Sequence, residues 1–301
     1  MDLVSVLMSV YSESVSELEE SVSSILNQTY SSIEFIIVVD NPQNIKAIDY
    51  LRKCQDFDKR VKIFINKNNR GLVYSLNKGI KLCTGKYIAR MDADDVALKY
   101  RIEKELGYLK KNNLALVSSN YLIIDQNGTQ IGQSSFPQGK NKIKKLLRKE
   151  NCMGHPTWLV KKVVFDKLGG YRDIDTCEDY DFLIRMSINR FDFDNIKEPL
   201  IRYRFNVDSI SRKKKYRQKI ISQILAKNYR LNKVTDVRLL NLYLKSNEYK
   251  SDLNIQKELN DLKNIFLSSK RIYRMKYLYR ILRLKIKKYN RINSLIRNGL
   301  C

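Results

Sequence analysis

The sequence of 301 residues has one histidine, one tryptophan, 11 glycines and 4 prolines. It has no apolar run near the roughly 18 residues that cross a bilayer. Its longest apolar stretch, Leu3 to Tyr11, has strand length and is broken by Ser5 and Ser9. A membrane-spanning helix is therefore not expected. Met1-Asp2 lacks the basic leader of a signal peptide, so a cytoplasmic chain is expected. The cysteines (Cys54, Cys83, Cys152, Cys177 and Cys301) are odd in number and scattered without metal-ligand spacing, which reads as reduced thiols. The first strand-to-helix turn, Tyr11-Ser12-Glu13-Ser14, contains no glycine. That excludes the G-x-G-x-x-G approach to a dinucleotide pyrophosphate, and a G-x-x-x-x-G-K-[ST] loop is missing too. Without a zinc-finger, RNP or helix-turn-helix pattern, nucleic acid is not an expected partner.

Against these absences stand 43% hydrophobic and 10% aromatic residues, enough for a real core despite 30% charged residues. The length suits one large domain, or one domain with an appendage. The net charge of +25 is unevenly spread. Residues 211–301 hold 25 Lys and Arg against 5 Asp and Glu, leaving 32 basic and 27 acidic residues for the rest. A boundary is therefore expected near Ser211, dividing a catalytic domain (1–211) from a basic, helical C-terminal region (212–301).

Upstream of that boundary strands and helices alternate. Leu3–Val10, Ile33–Val39, Val61–Ile65 and Tyr87–Met91 read as strands. Val15–Leu26, Ile45–Cys54 and Leu72–Leu82 read as the helices between them. Four β-α units of this kind predict an α/β fold with a mostly parallel sheet covered on both faces. Ligands of such sheets sit at the carboxyl ends of the strands, where Tyr11, Asp40 and Asp92 all fall. Leu114–Ile124 and Thr129–Ile131 read as strands around an Asp125-Gln126-Asn127-Gly128 hairpin turn.

The stretch Ile88 to Asp95, I-A-R-M-D-A-D-D, ends a buried strand in three carboxylates within four residues: Asp92, Asp94 and Asp95. Like charges this close raise one another's pKa, and a divalent metal with oxygen ligands relieves the repulsion. The bland alternative is an acidic turn capping a helix that starts near Leu98. A second cluster, C-E-D-Y-D at Cys177 to Asp181, opens an amphipathic helix carrying Phe182, Leu183, Met186 and Ile188. Acids in a first turn also complement the helix dipole.

Taken in order, V-S-V-L-M-S-V-Y, S-I-L-N-Q-T-Y, Asp40, N-N-R-G-L at Asn68 to Leu72 and G-K-Y-I-A-R-M-D-A-D-D resemble glycosyltransferase family 2 with the GT-A fold. The resemblance runs from about residue 3 to 211. G-H-P-T at Gly154 to Thr157 and G-G-Y at Gly169 to Tyr171 bring it near the bacterial subgroup that builds exopolysaccharide, capsule and O-antigen, of the amylovoran type. The resemblance implies a Rossmann-like GT-A sheet with a nucleotide-binding half at about 1–95 and an acceptor half at 96–211. It implies inverting transfer of a hexosyl or N-acetylhexosaminyl group from a nucleotide sugar, a UDP-sugar by expectation, to a saccharide or lipid-linked saccharide.

The residue roles implied by the resemblance follow the motifs. Val10, Tyr11, Asp40, Arg70, Asp92 and Ala93 line the nucleotide, with Asp40 accepting from the base. Asp94, with Asp92 beside it, holds Mn²⁺ or Mg²⁺. Asp179 is the general base, Glu178 orients it or meets the acceptor, and His155 and Trp158 lie on the acceptor side. Asp181 reads as structural, with Arg185 one turn on as its i,i+4 partner, and Asp95 as a supporting or capping residue. A lone histidine is also commonly a hydrogen-bonded structural residue. At Tyr203 to Ser211 many relatives carry a histidine near the metal where this chain has Asn206; water or Asp208 would then substitute.

The tail places Met275, Leu278, Leu282, Ile286, Tyr289, Ile292 and Ile296 at helical steps. Residues 271–298 hold ten Lys and Arg and no acid, with Tyr273, Tyr277 and Tyr279 interleaved. This pattern suits an anionic membrane surface at the inner face of the cell membrane, and equally a bundle or homo-oligomer that buries the stripe. A metal-dependent nucleotidyltransferase and a nucleic-acid-binding tail are the other readings left open.

Overall fold

Val4–Val10 forms strand β1 in the computed structural model, which describes residues 1–206, 213–268 and 274–295. Helix α1 (Val15–Leu26) begins where the Ser14 hydroxyl accepts from the Glu17 amide at 3.3 Å and Glu17 accepts from the Ser14 amide at 2.8 Å. This reciprocal pair satisfies two of the donors that a helix start leaves open. Strand β2 (Ile33–Val39), helix α2 (Ile45–Phe57), strand β3 (Val61–Ile65), helix α3 (Leu72–Leu82) and strand β4 (Tyr87–Asp92) follow. Only α2 differs by a turn from its expected span, running on past Cys54 to Phe57.

The first four strands pair in parallel in the order β3-β2-β1-β4. Every residue of β2 is buried, as a strand covered on both faces requires. One of them is charged. Glu34 accepts from Ser5 Oγ at 2.6 Å, the Thr84 amide at 2.6 Å and Lys62 Nζ at 2.8 Å, tying β1, β3 and the loop before β4 together. Burial works to raise its pKa, but these hydrogen bonds outweigh it and hold the carboxyl at about 2.

Beyond β4 the helix expected near Leu98 begins at Arg101, after the two-residue strand β5 (Val96–Ala97). Then come α4 (Arg101–Lys111), β6 (Leu116–Ile124), β7 (Gln130–Gln133), α5 (Lys140–Leu146), a 3₁₀ turn at His155–Thr157, β8 (Leu159–Lys161), α6 (Lys162–Leu168), α7 (Glu178–Ile188) and β9 (Phe193–Arg204). Gly128, with φ of 80°, completes the β6–β7 hairpin turn. The sheet continues as β4-β8-β6-β9-β5, with β7 also on β6. This half is mixed, because β8 runs antiparallel to both β4 and β6, while β6 and β9 are parallel. β4, β6 and β9 therefore point the same way as β1 to β3, and their carboxyl ends share one rim.

The described chain divides into two compact units, residues 1–147, 151–173 and 185–207, and residues 148–150, 174–184 and 208–301. The boundary expected near Ser211 lies outside the described residues. Residues 174–184, with the first turns of α7, group with the tail. The second unit contains α8 (Lys215–Arg230), α9 (Val237–Lys245), α10 (Asn247–Ser268) and α11 (Arg274–Leu295). Ile255, Leu259 and Leu262 of α10 pack with Ile281 and Leu284 of α11. The helical period expected for α11 is present, but the expected stripe is not the face in this cluster. Leu278, Leu282, Ile286 and Tyr289 are 37–65% exposed. The side chains of Met275, Tyr277, Tyr279 and Ile292, and residues Tyr273 and Ile296, lie outside what is described. Among the described residues, no helix is long and apolar enough to cross a membrane.

Candidate active site

At the end of β1 the Val10 carbonyl accepts the Asp40 amide at 2.7 Å, joining the β1 and β2 ends. Tyr11, 44% exposed, follows, and its amide donates to Glu13 Oε2 at 2.6 Å. Asp40 itself is buried. Its carboxylate accepts from Asn66 Nδ2 at 2.7 Å, the Arg70 amide at 2.9 Å and the Gly71 amide at 2.7 Å. These contacts shape the loop entering α3, where Gly71 has φ of 84°. Three of the roughly four lone-pair sites of the carboxylate are thereby taken up within the protein. Arg70 is exposed and lies over the Tyr74 ring at 4.3 Å. Asn66 also donates to Ser75 Oγ and accepts from Lys78 Nζ, so the asparagine-rich segment before Arg70 is a bonded scaffold.

The acidic turn after β4 is held from β9. Buried Arg204 donates its amide to Asp95 Oδ1 at 2.9 Å and its Nε to the Asp94 carbonyl at 3.0 Å. Its remaining nitrogens reach Glu20 Oε2 at 2.8 Å and the carbonyls of Asp125 and Gln126. Arg90, two residues before Asp92 on the same strand face, pairs with the Asp92 carboxylate. Ala93 and Asp95 are buried, whereas the Asp92 side chain is 31% exposed. Burial, then Asp92 and Glu13, push the Asp94 carboxyl up to about 7. Burial and the two neighbouring aspartates likewise hold Asp95 well above the carboxylate range.

The donor set fits the divalent metal that the resemblance implies. Hard carboxylates crowd together at a strand end, and a cation relieves the repulsion. Among the described residues no group of three or more His, Cys, Asp and Glu is arranged to hold a metal alone. An ion there would be held by one or two carboxylates and completed by substrate phosphates. Asn206 is half-buried at the end of β9, and Asp208 lies outside the described residues.

His155 and Trp158 belong to the first unit. His155 is buried, its Nε2 lies 2.9 Å from the Tyr171 hydroxyl, and its ring meets the Trp158 ring edge-on at 4.7 Å. Burial, and then Arg90, hold its pKa well below the usual value, so it is neutral. Arg101, fully buried, ties this turn to β4 by donating to the Pro156 carbonyl at 3.1 Å and the Arg90 carbonyl at 2.6 Å.

Glu178, Asp179 and Asp181 occupy the first turn of α7, in the second unit. Glu178 and Asp181 are buried, while Asp179 is half-buried and accepts the Tyr180 amide at 2.6 Å. Asp179 is thus the most water-accessible carboxylate of the three. Arg185, now in the first unit, donates to the carbonyls of Leu168 and Gly170, both at 2.8 Å.

Arg204, Arg90, Glu13 and Asn66 were not among the expected site residues. Arg204 had a faint signal, an arginine beside Asn206 in the closing segment. Its five acceptors are scattered from Glu20 to Gln126 and no local pattern gathers them.

The model of the family "Glycosyl transferase family 2" matches residues 5–169. The chain is 41% identical over 235 residues to an uncharacterized glycosyltransferase, MJ1057, of Methanocaldococcus jannaschii, covering 77% of this chain and 80% of the relative. It is 36% identical over 208 residues to the O-antigen biosynthesis glycosyltransferase WbnJ of Escherichia coli, covering 68% and 81%. The amylovoran biosynthesis glycosyltransferase AmsE of Erwinia amylovora is 27% identical over 216 residues, covering 70% and 80%. The crystal structure of S. aureus TarS 1-349 shares the fold with a TM-score of 0.58 at 14% identity, covering 99% of this chain and 92% of that one.

Proposed function

This chain belongs to glycosyl transferase family 2, and from that membership we propose an inverting, metal-dependent transfer of a sugar from a UDP-sugar to a saccharide or lipid-linked saccharide of a surface polysaccharide. The observation that carries the reading is the acidic turn Asp92 to Asp95, fixed by Arg204 at the carboxyl ends of the sheet beside a strand-helix turn with no glycine cradle. Bound to Asp94 with Asp92 beside it, Mn²⁺ or Mg²⁺ would neutralise the diphosphate and stabilise its departure. Val10, Tyr11 and the Asp40-Arg70 loop position the nucleoside. Asp179 takes the proton of the acceptor hydroxyl as its oxygen forms the new bond to the anomeric carbon. The bond to the diphosphate breaks on the opposite face, so configuration inverts. Glu178 orients that base, and neutral His155 stands on the acceptor side with the fully buried Trp158 ring packed against it.

Purified protein mixed with a panel of nucleotide sugars and Mn²⁺ should release UDP, and release should stop in excess EDTA. Pyrophosphate release from a nucleoside triphosphate and a sugar phosphate would instead support a nucleotidyltransferase. Undiminished UDP release in EDTA would remove the metal from the account.

A second observation concerns where the reaction takes place. Leu278, Leu282, Ile286 and Tyr289 of α11 face solvent, and residues 271–298 carry ten cations and no acid. Each cation near an anionic leaflet contributes on the order of 1 kcal/mol. We propose that this stripe rests on an anionic membrane surface at the inner face of the cell membrane. In vesicle co-sedimentation the full chain should bind phosphatidylserine vesicles at low salt and release at ~1 M, where the Debye length is ~3 Å. The variant Leu282→Glu/Ile286→Glu should bind much less. Equal binding of both proteins, or concentration-dependent self-association that the variant abolishes, would assign the stripe elsewhere.

A further inference from the structure

We propose that a cleft beside the β6–β7 hairpin binds an anionic sugar residue of the acceptor, several sugar units from the reacting end. The proposal rests on the glycosyltransferase reading and extends it to the class of acceptor. The cleft measures about 720 Å³, within the range of ligand sites. Asn120, Gln133, Ser135, Phe136, Lys142 and Lys197 line it, and no Asp or Glu does.

How Lys197 comes to be there is written in the sheet register. β6 and β9 pair residue for residue up to Ser119 with Ile196, but the next pair is Asn120 with Pro199. Lys197 and Glu198 are thus extra residues on β9, looped out of the ladder. Such bulges redirect side chains and recur beside active sites. The loop is held open by the Asn120 amide, which donates to the Lys197 carbonyl at 2.8 Å. The other end of the Asn120 side chain accepts from Ser134 Oγ at 3.1 Å and the Phe136 amide at 2.7 Å, fixing the opposite wall. One asparagine therefore sets both sides of the cleft. Lys142 and Lys197 are exposed, and among the described residues neither is paired with a carboxylate, unlike Lys140 and Lys144, which both pair with Asp192.

The cleft is linked to the acidic turn by a run of rings. Phe136 meets Tyr121 edge-on at 5.5 Å, and Tyr121 meets Tyr203 at 4.9 Å. Tyr203 precedes Arg204, whose amide is bonded to Asp95. Gly154 belongs to the same run, since a Cβ there would lie 3.0 Å from Phe136 and 3.1 Å from Tyr121. Aromatic rings flanked by amides and hydroxyls suit a sugar, which presents apolar C–H faces and a hydroxyl rim. Two free ammonium groups favour a sugar that also carries a carboxylate or phosphate.

Titration of the full chain with trigalacturonate, 6-phosphorylated maltotriose and neutral maltotriose, without nucleotide, tests the proposal. At least one anionic trisaccharide should bind more tightly than maltotriose, and which one does so identifies the anion. The variant Lys142→Glu/Lys197→Glu should weaken that binding by about tenfold, a loss expected of two exposed ion pairs, while UDP affinity stays as in wild type. Gln133→Ala should weaken both anionic and neutral sugars alike. Absence of anionic-sugar binding, a preference for the neutral sugar, or unchanged affinity in the double lysine variant would overturn the proposal. Loss of UDP binding in the wild-type protein would instead count against the transferase reading, because the sugar titrations contain no nucleotide.

Discussion

In the first unit buried Arg204 places its donors on five named acceptors around the acidic turn, whereas in the second unit Leu282, Ile286 and Tyr289 stand in solvent among cations on α11. The two regions use charge differently. At the rim the Arg204 guanidinium is located by fixed partners in a poorly hydrated setting, where losing one partner leaves another stranded. On α11 the cations act as a summed field, screened by salt, in which no single residue is decisive. The rim should therefore respond to single substitutions and the tail to net charge.

The largest effect should follow from Asp179→Asn, which reduces the transfer rate by ~10² to 10⁴ with donor affinity little changed, as loss of a general base does. Steady-state rates and UDP-sugar titration on the same preparation check it. Asp181→Asn, at a buried position in the same turn, should act on thermal stability more than on rate. A greater rate loss in Asp181→Asn than in Asp179→Asn would move the base by one helical step.

Next in size, Arg204→Ala should destabilise the first unit by about 3–5 kcal/mol in urea unfolding, because it keeps the backbone amide on Asp95 but takes the buried guanidinium away from the carbonyls of Asp94, Asp125 and Gln126 and from Glu20. Arg283→Ala on the exposed side of α11 should leave the Tm unchanged. A comparable loss from both would erase the distinction between the two regions.

The acid response of Glu34 sharpens the same comparison. Its folded pKa of about 2 lies below the unfolded value of about 4.3, so the stabilisation is complete above about pH 4.3 and is lost as pH falls toward 2. Its size is about 3 kcal/mol. Glu34→Gln should lower the Tm at pH 7, and the gap from wild type should close between pH 4.3 and 2. Parallel curves across that window would contradict the assignment.

Much of the nucleotide-side sheet was legible because each strand there is followed by a helix, so the hydrophobic period switches from two to 3.6 at every boundary. The limits of β2, β3, α1 and α3 follow from that switch alone. Past β4 the signal weakens. β5 has two residues and β8 three, too short for any period, and their place depends on pairing with β9 and β4. The acidic turn was legible as a local motif, but its support by Arg204 was not, since that contact spans 109 positions. In the tail the helical period was readable, yet a sequence rich in apolar and aliphatic cationic residues does not reveal which stripe packs. The structure selects Ile281 and Leu284 for the α10 contact and leaves the Leu278–Tyr289 stripe outside that cluster.

In the proposed reaction Asp94 joins the chain to the diphosphate through a metal. Calorimetric titration of UDP into wild type and Asp94→Asn, each with Mn²⁺ and with EDTA, tests this most directly. Tight binding that needs both Mn²⁺ and Asp94, with the variant's fold intact by circular dichroism, is the predicted result. UDP affinity in Asp94→Asn that still rises with Mn²⁺ as in wild type would contradict it.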